Sequence, residues 1–156
     1  MKITIATLLV GSLLTAFIIK PKQKNMEIKF AYTILYVNDV EKSIAFYEKA
    51  FGFTRKFVTP ENDYGELLVG ETTLSFTSTA LAKANLIDGF IESNLTNKPF
   101  GIEIGFSTRD VDAVVKSSIE AGATLVVEPK AKPWGQVVAY VRDYDGFLIE
   151  ICTPMN

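Results

Sequence analysis

Residues 32–53, YTILYVNDVEKSIAFYEKAFGF, decide the fold of this chain. The region Phe30–Val37 is rich in aromatic and β-branched residues, which predicts a strand. A helix is expected next, with Asn38 as N-cap, Glu41 completing a capping-box spacing, and Gly52 at its end. Apolar residues recur at helical spacing within it, at Val40, Ile44, Tyr47 and Phe51. The stretch therefore predicts a strand followed by an amphipathic helix that packs on a sheet.

The same pattern occurs twice in the chain. After the first helix, apolar runs separated by turn residues predict strands at Phe53–Val58, Tyr64–Val69 and Thr72–Thr77. The second copy predicts a strand, a helix and three more strands, at Phe100–Ser107, Asp110–Ala121, Thr124–Glu128, Gln136–Arg142 and Leu148–Cys152. The dipeptide Asp39-Val40 recurs as Asp110-Val111, and Gly52 recurs as Gly122. Internal repetition of this kind determines the architecture more firmly than any single element does.

The repetition predicts an α+β fold. Two tandem βαβββ modules, residues 29–79 and 99–154, are expected to form a curved mixed sheet around a cavity, within one domain spanning residues 26–156. Between the modules, Ser78–Leu86 predicts a short helix and Ile87–Pro99 a loop. A loop of this length is either a linker or a lid over a site, and its apolar Phe90 keeps the second interpretation open.

Composition excludes several classes of function. The chain has no histidine, one cysteine (Cys152) and a formal net charge of −2. Histidine-ligated metals and a serine–histidine nucleophile are therefore excluded. The single cysteine excludes an intrachain disulfide and multi-cysteine zinc or iron–sulfur sites. The charge balance gives no electrostatic reason to expect nucleic acid as a partner.

An uncharged run, Ile3–Ile19, lies near the beginning of the sequence and is followed by Lys20, Lys22 and Lys24. Its length is at the lower edge for a membrane span and is long for the apolar region of a signal peptide. It is interpreted as a membrane anchor, as a signal, or as an extension upstream of a true start at Met26. We expect a cytoplasmic protein, with anchoring in the inner membrane through this run as the alternative, because lysines on that side retain the domain there.

Residues 32–53 and PWGQVVAYVRDYDGFLIEI, residues 133–151, resemble the vicinal oxygen chelate superfamily of glyoxalases, bleomycin-resistance proteins and extradiol dioxygenases. Metal-dependent members place four ligands on four strands facing the cavity. The resemblance puts these positions at Tyr32, Ser75, Glu103 and Glu150. Only Glu150 matches the usual residue type. The resemblance thus implies a scaffold without a tightly bound transition metal, in which Glu103 and Glu150 offer Mg²⁺ or Mn²⁺ a weak site at most.

Glu150 and Glu103 are the strongest chemical candidates, because each carboxylate interrupts an apolar stretch. If both face one cavity, desolvation and mutual repulsion are expected to raise at least one pKa. Glu150 would then suit proton abstraction next to a carbonyl, as the catalytic residue. The alternative is that each carboxylate forms an ion pair with Arg142, Arg109 or a lysine, or lies at a solvent edge.

The remaining candidates are ligand-binding residues: Tyr32, Tyr36, Ser75, Glu103, Trp134 and Gln136. Tyr32 and Tyr36 have the same parity on their strand and offer rings for stacking. Trp134, the only tryptophan, follows a proline at a hairpin mouth, where relatives have the edge of the ligand pocket. Each of these residues also has a purely structural interpretation. Cys152 is expected to be a buried apolar residue, with a thiol pKa raised by its carboxylate neighbour.

Three functions are compatible with these features. The first is binding of a small organic molecule in a histidine-free cavity without a metal. The second is a glyoxalase-like lyase or isomerase with Glu150 as general base. The third, which the sequence supports least, is a regulatory partner tethered at a membrane. A homodimer is expected in each case, because members of the superfamily commonly dimerise.

Overall fold

The computed structural model describes residues 28–155. The apolar run Ile3–Ile19 lies outside the described residues, so its role stays a prediction. Within residues 28–155, no helix is long and apolar enough to cross a membrane.

The first module contains β1 (Tyr32–Val37), α1 (Val40–Phe51), β2 (Thr54–Val58), β3 (Tyr64–Val69) and β4 (Thr72–Ser78). Its strands form a four-stranded sheet in the order β1-β4-β3-β2, with β1 parallel to β4 and the other pairs antiparallel. A short helix, α2 (Thr79–Asn85), follows. This confirms the short helix that was predicted between the modules.

The second module contains β5 (Ile104–Ser107), α3 (Val111–Ala121), β6 (Thr124–Ala131), β7 (Val137–Arg142) and β8 (Leu148–Cys152). Its sheet has the equivalent order, β5-β8-β7-β6, again with one parallel pair. The α+β fold with a repeated βαβββ unit is confirmed. Each module forms its own four-stranded mixed sheet.

Two local predictions are wrong. The N-cap of α1 is Asp39, not Asn38: its carboxylate accepts the Lys42 amide at 3.1 Å, whereas the amide of Asn38 donates to Asp145. The strand predicted from Phe100 begins only at Ile104. Ile104 pairs with Ile149, which is the second residue of β8. Because the two strands are parallel, β8 offers almost no further partner to the residues that precede Ile104.

The helices and one face of each sheet share a single core. Tyr47 on α1 shows this, because its ring centroid lies 5.2 Å from Phe76 on β4 and 6.4 Å from Phe106 on β5. Helices α1 and α3 also pack against each other. Since side chains alternate along a strand, every second residue projects from the face away from the helices. We call these surfaces the first open face, on the sheet of β1, and the second open face, on the sheet of β8.

The turn between β7 and β8 fastens the two modules together. The Tyr47 hydroxyl donates to Asp143 at 2.8 Å, and the Ser43 hydroxyl donates to Asp145 at 2.7 Å. Asp143 is 1% exposed, and this burial raises its pKa to about 6. The hydrogen bonds give two buried carboxylates their partners at the junction of α1 with the second module.

Candidate functional site

Glu150 lies near the middle of the second open face. On β8 it is directly opposite Tyr140 on β7, and on its other side it pairs with Gly105 on β5. The Tyr140 hydroxyl donates to Glu150 Oε2 at 2.8 Å, and the buried Cys152 follows Glu150 on the same face of β8. The predicted alternative of an ion pair is not seen, because among residues 28–155 no lysine or arginine forms a salt bridge with Glu150.

The structure brings Glu103 close to this group. Glu103 precedes β5, and most of its surface is exposed. The desolvation of its remaining surface, followed by the charge of Glu150, raises the pKa of Glu103. The hydrogen bond to Glu150, followed by burial, raises the pKa of Tyr140 to about 12. Burial, followed by Glu150, raises the pKa of Cys152. All three shifts have the signs expected where negative charge is concentrated on a partly desolvated surface.

Trp134 and Gln136 form a fixed unit at the turn before β7. The indole Nε1–H of Trp134 donates to Gln136 Oε1 at 2.8 Å, and Gln136 Nε2 donates to the carbonyl of Thr153 at 2.6 Å. The Trp134 ring is nevertheless 64% exposed. Because Gln136 precedes Val138 on the face that carries Tyr140, this ring borders the second open face. The unit is a preorganised aromatic surface with unused contact area.

Tyr32, Ser75 and Tyr36 lie on the first open face instead. Tyr32 is half-exposed, while Ser75 is fully buried and hydrogen-bonds with the Tyr64 hydroxyl at 3.2 Å. Tyr36 is covered by Phe90, with ring centroids 4.7 Å apart. The six predicted ligand-binding residues and Glu150 therefore divide into two groups, one on each sheet.

A second charged group accompanies Ser75. The Tyr64 hydroxyl donates to Glu66 Oε1 at 2.8 Å, and Lys56 Nζ lies 2.6 Å from Glu66 Oε2. The hydrogen bond with Lys56 lowers the pKa of Glu66. This carboxylate is thus neutralised within its own sheet, in contrast to Glu103 and Glu150.

Sequence reasoning missed Tyr140, Tyr64, Glu66 and Lys56. A signal for Tyr140 was present in the sequence. If the turn at residues 143–147 is taken as the centre of a hairpin, the residues at equal distances on its two sides pair, and Tyr140 then lies opposite Glu150. No comparable signal existed for Lys56, because β2 contains a register irregularity between Arg55 and Phe57. Such a bulge changes the face to which the following side chains point.

The four positions at which metal-dependent relatives have ligands do not fit a tightly bound transition metal here. Tyr32 and Ser75 offer neutral hydroxyls, and the Glu150 carboxylate already accepts a hydrogen bond from Tyr140. Within the described part of the chain, no three His, Cys, Asp or Glu side chains are grouped as metal ligands. Nickel, zinc and iron(II) prefer imidazole or thiolate donors, which this set does not supply.

Comparisons with known proteins identify the family. The model of the glyoxalase/bleomycin resistance protein/dioxygenase superfamily matches residues 29–151. The chain belongs to this superfamily. A lactoylglutathione lyase of Arabidopsis thaliana is 30% identical over 134 residues, which cover 84% of this chain and 45% of that protein. The chain thus spans about half the length of the curated relatives it matches.

Solved structures show the same fold. A glyoxalase-related enzyme from Fulvimarina pelagi superposes with a TM-score of 0.69 at 21% identity, over 81% of this chain and 88% of that one. The S. aureus protein SA1046, described as hypothetical, gives a TM-score of 0.69 at 26% identity, over 83% and 96% of the two chains. These likenesses extend to nearly the whole described domain.

Proposed function

We propose that this superfamily member binds a small, flat, cationic organic molecule on its second open face. The observation that carries the proposal is the pair of carboxylates, Glu103 and Glu150, on the open face that the exposed Trp134 borders. Among residues 28–155, neither carboxylate has a lysine or arginine partner. A ligand cation would supply that missing charge, and its planar body would stack on the indole ring.

The electrostatics of the face favour this ligand class over an anionic one. The repulsion that raises the pKa of Glu103 decreases when a cation lies between the two carboxylates. Micromolar affinity requires only about −8 kcal/mol. A cation–π contact of roughly 0.5–2 kcal/mol, together with charge-assisted hydrogen bonds to the two carboxylates, contributes to that total.

Isothermal titration with two matched probes tests the proposal. Proflavine is a planar cation at neutral pH, and acridine is a neutral ring system of similar shape. We expect proflavine to bind at least tenfold more tightly than acridine, and we expect E150Q and E103Q each to reduce that ratio. The control is E128Q, because Glu128 is a carboxylate of the same sheet that faces the groove beside α3. Equal affinity for the two probes, or an equal loss in E128Q, would contradict the proposal.

We propose further that this binding needs no metal ion. The donor set described above supports this, since only two carboxylates are at hand and Glu150 already accepts a hydrogen bond from Tyr140. The affinity for proflavine is expected to stay the same after dialysis against a chelator and after addition of Mg²⁺ or Mn²⁺. A gain in affinity or stability on adding either ion, lost in E103Q, would show that a weak site exists.

A second candidate function is a lyase or isomerase reaction. The observation that favours it is the 30% identity to a lactoylglutathione lyase, together with a glutamate at position 150. Glu150 would take a proton from the carbon next to a carbonyl, and the Tyr140 hydroxyl, 2.8 Å from its carboxylate, would hold it in place. Turnover of methylglyoxal and glutathione that E150Q abolishes while the fold is retained would establish this candidate, and absence of turnover with and without Mg²⁺ or Mn²⁺ would dismiss it.

We also propose that the protein forms a homodimer through its open faces. Large apolar side chains are exposed there, including Tyr32 and Leu68 on the first sheet and Val127 on the second. Contact between the first open face of one copy and the second of another would enclose both groups of candidate residues in one cavity. Sedimentation equilibrium is expected to give twice the chain mass at micromolar concentration, with L68E shifting the protein to the monomer. A monomeric wild type would contradict this arrangement.

A further inference from the structure

Both ends of the Gln136 carboxamide are bonded to protein groups. Its Oε1 accepts the indole Nε1–H of Trp134 at 2.8 Å, and its Nε2 donates to the carbonyl of Thr153 at 2.6 Å. Thr153 is in turn fixed on β7, because its amide donates to the Val137 carbonyl at 3.0 Å and its hydroxyl oxygen accepts the Val137 amide at 3.1 Å. The indole is therefore linked through one side chain to the end of the β7–β8 pair.

The backbone of the turn supports the same arrangement. Residues 132–136 join β6 to β7, and within them the Lys132 amide donates to the carbonyl of Gln136 at 2.7 Å. The Gly135 amide donates to the carbonyl of Lys132 at 2.9 Å. Gly135 has a φ of 98°, a left-handed conformation that a residue with a Cβ adopts only with strain. This closed turn brings the indole of Trp134 within reach of the Gln136 carboxamide.

Little else holds the Trp134 ring. The residue is 64% exposed, and within residues 28–155 no aromatic ring packs against the indole. An exposed side chain with few packing contacts changes rotamer on the picosecond to nanosecond timescale. The hydrogen bond to Gln136 opposes that motion. The orientation of the ring therefore depends on Gln136.

We propose that Gln136 is a positioning residue: it fixes the plane of Trp134 and thereby makes the second open face selective for planar cations. This rests on the proposed function, in which a flat cation stacks on the indole. A ring that is oriented before binding loses less conformational freedom when a flat ligand stacks on it. A compact, non-planar cation covers little of the ring and gains little from its orientation.

The dimensions of the face allow one ligand to contact both the indole and the carboxylates. Gln136 precedes Tyr140 by four residues, and Tyr140 lies opposite Glu150. Four residues of extended chain span roughly 13 Å. A three-ring cation covers most of this distance, and the long side chains of Trp134 and Glu150 cover the remainder.

Affinities for two cations test the inference. Proflavine is planar, whereas amantadine carries its ammonium group on a compact cage. Q136M keeps the length of the side chain but removes both hydrogen bonds, with folding verified by urea unfolding. In isothermal titration we expect Q136M to weaken proflavine about three- to tenfold and to leave amantadine unchanged. An equal loss for both cations would mean that Gln136 contacts the ligand directly, which would overturn the positioning role.

A double-mutant cycle separates positioning from contact. The phenyl ring in W134F has no N–H group, so Gln136 has nothing to hold there. W134F/Q136M is therefore expected to bind proflavine as W134F does. The same loss on adding Q136M to wild type and to W134F would contradict the inference.

The motion of the ring can be measured without a ligand, because Trp134 is the only tryptophan. In the anisotropy decay of its fluorescence, Q136M is expected to show a larger sub-nanosecond component than wild type does. An unchanged decay would refute the positioning role alone and leave the proposed function intact. Wild-type protein that does not bind proflavine would refute the proposed function, and with it the selectivity, whatever the decay shows.

Discussion

At the scale of single residues, the chemistry of Glu150 depends on its neighbours in the sheet. The Tyr140 hydroxyl donates to its carboxylate, Cys152 lies on the same face of β8, and Glu103 adds a second negative charge nearby. Strand parity placed Glu150 and Cys152 on one face from sequence alone. Placing Tyr140 opposite Glu150 also requires the register of the hairpin, which the turn at residues 143–147 sets.

Cys152 should react slowly with thiol reagents. Burial, together with the neighbouring Glu150, raises its pKa, so less thiolate is present at pH 8 than for a free cysteine. We expect monobromobimane to label native protein at least tenfold more slowly than it labels unfolded protein. E150Q should increase the native rate several-fold. Since Cys152 is the only cysteine, C152S provides the blank, and native labelling as fast as in the unfolded chain would contradict the environment described.

Asp143 should make stability depend on pH in an unusual direction. Its pKa rises from 3.8 to about 6 on folding, so its contribution is fully present below pH 3.8 and is lost as the pH rises through 6. A shift of this size corresponds to at most about 3 kcal/mol. D143N lacks this titration. The free energy of unfolding in urea, wild type minus D143N, is therefore expected to fall between pH 4 and pH 7, and a constant difference would refute the assignment.

At the scale of elements, sequence patterns were sufficient for most of the fold. Both long helices end at glycines with positive φ, Gly52 at 68° and Gly122 at 113°, as their spacing indicated. The bounds of Tyr64–Val69 and Leu148–Cys152 agree with those predicted. Residues 86–100, which we call the strap, could be identified only as a loop, because their attachment depends on Arg142, far away in sequence.

Loss of Arg142 should release the strap without unfolding the domain. R142M removes the charged donor that holds the carbonyls of Asn94 and Asn97, and such bonds contribute roughly 1.5–3 kcal/mol each. Hydrogen exchange followed by mass spectrometry is expected to show at least tenfold faster exchange in residues 90–100, with α1 still protected. The matched variant R109M, at an exposed arginine, should leave the strap unchanged. Uniform loss of protection along the chain would instead mean that Arg142 supports the whole fold.

At the scale of the whole molecule, the modules pack with their helices and one face of each sheet in a common core. Local patterns predict each βαβββ unit but carry little information about which faces of two units meet. This explains why the candidate residues, expected around one cavity, lie on two open faces in the single chain. The homodimer proposed above would bring these faces together, and the site would then be completed only in the assembly.

The most direct test of the central claim uses the fluorescence of Trp134, the only tryptophan in the chain. Proflavine added to wild-type protein is expected to quench this emission saturably, with a micromolar dissociation constant that E150Q and E103Q raise at least tenfold. Free N-acetyltryptophanamide corrects for absorption by the probe. Quenching that does not saturate, or that is the same in wild type, E103Q and E150Q, would contradict binding at this face.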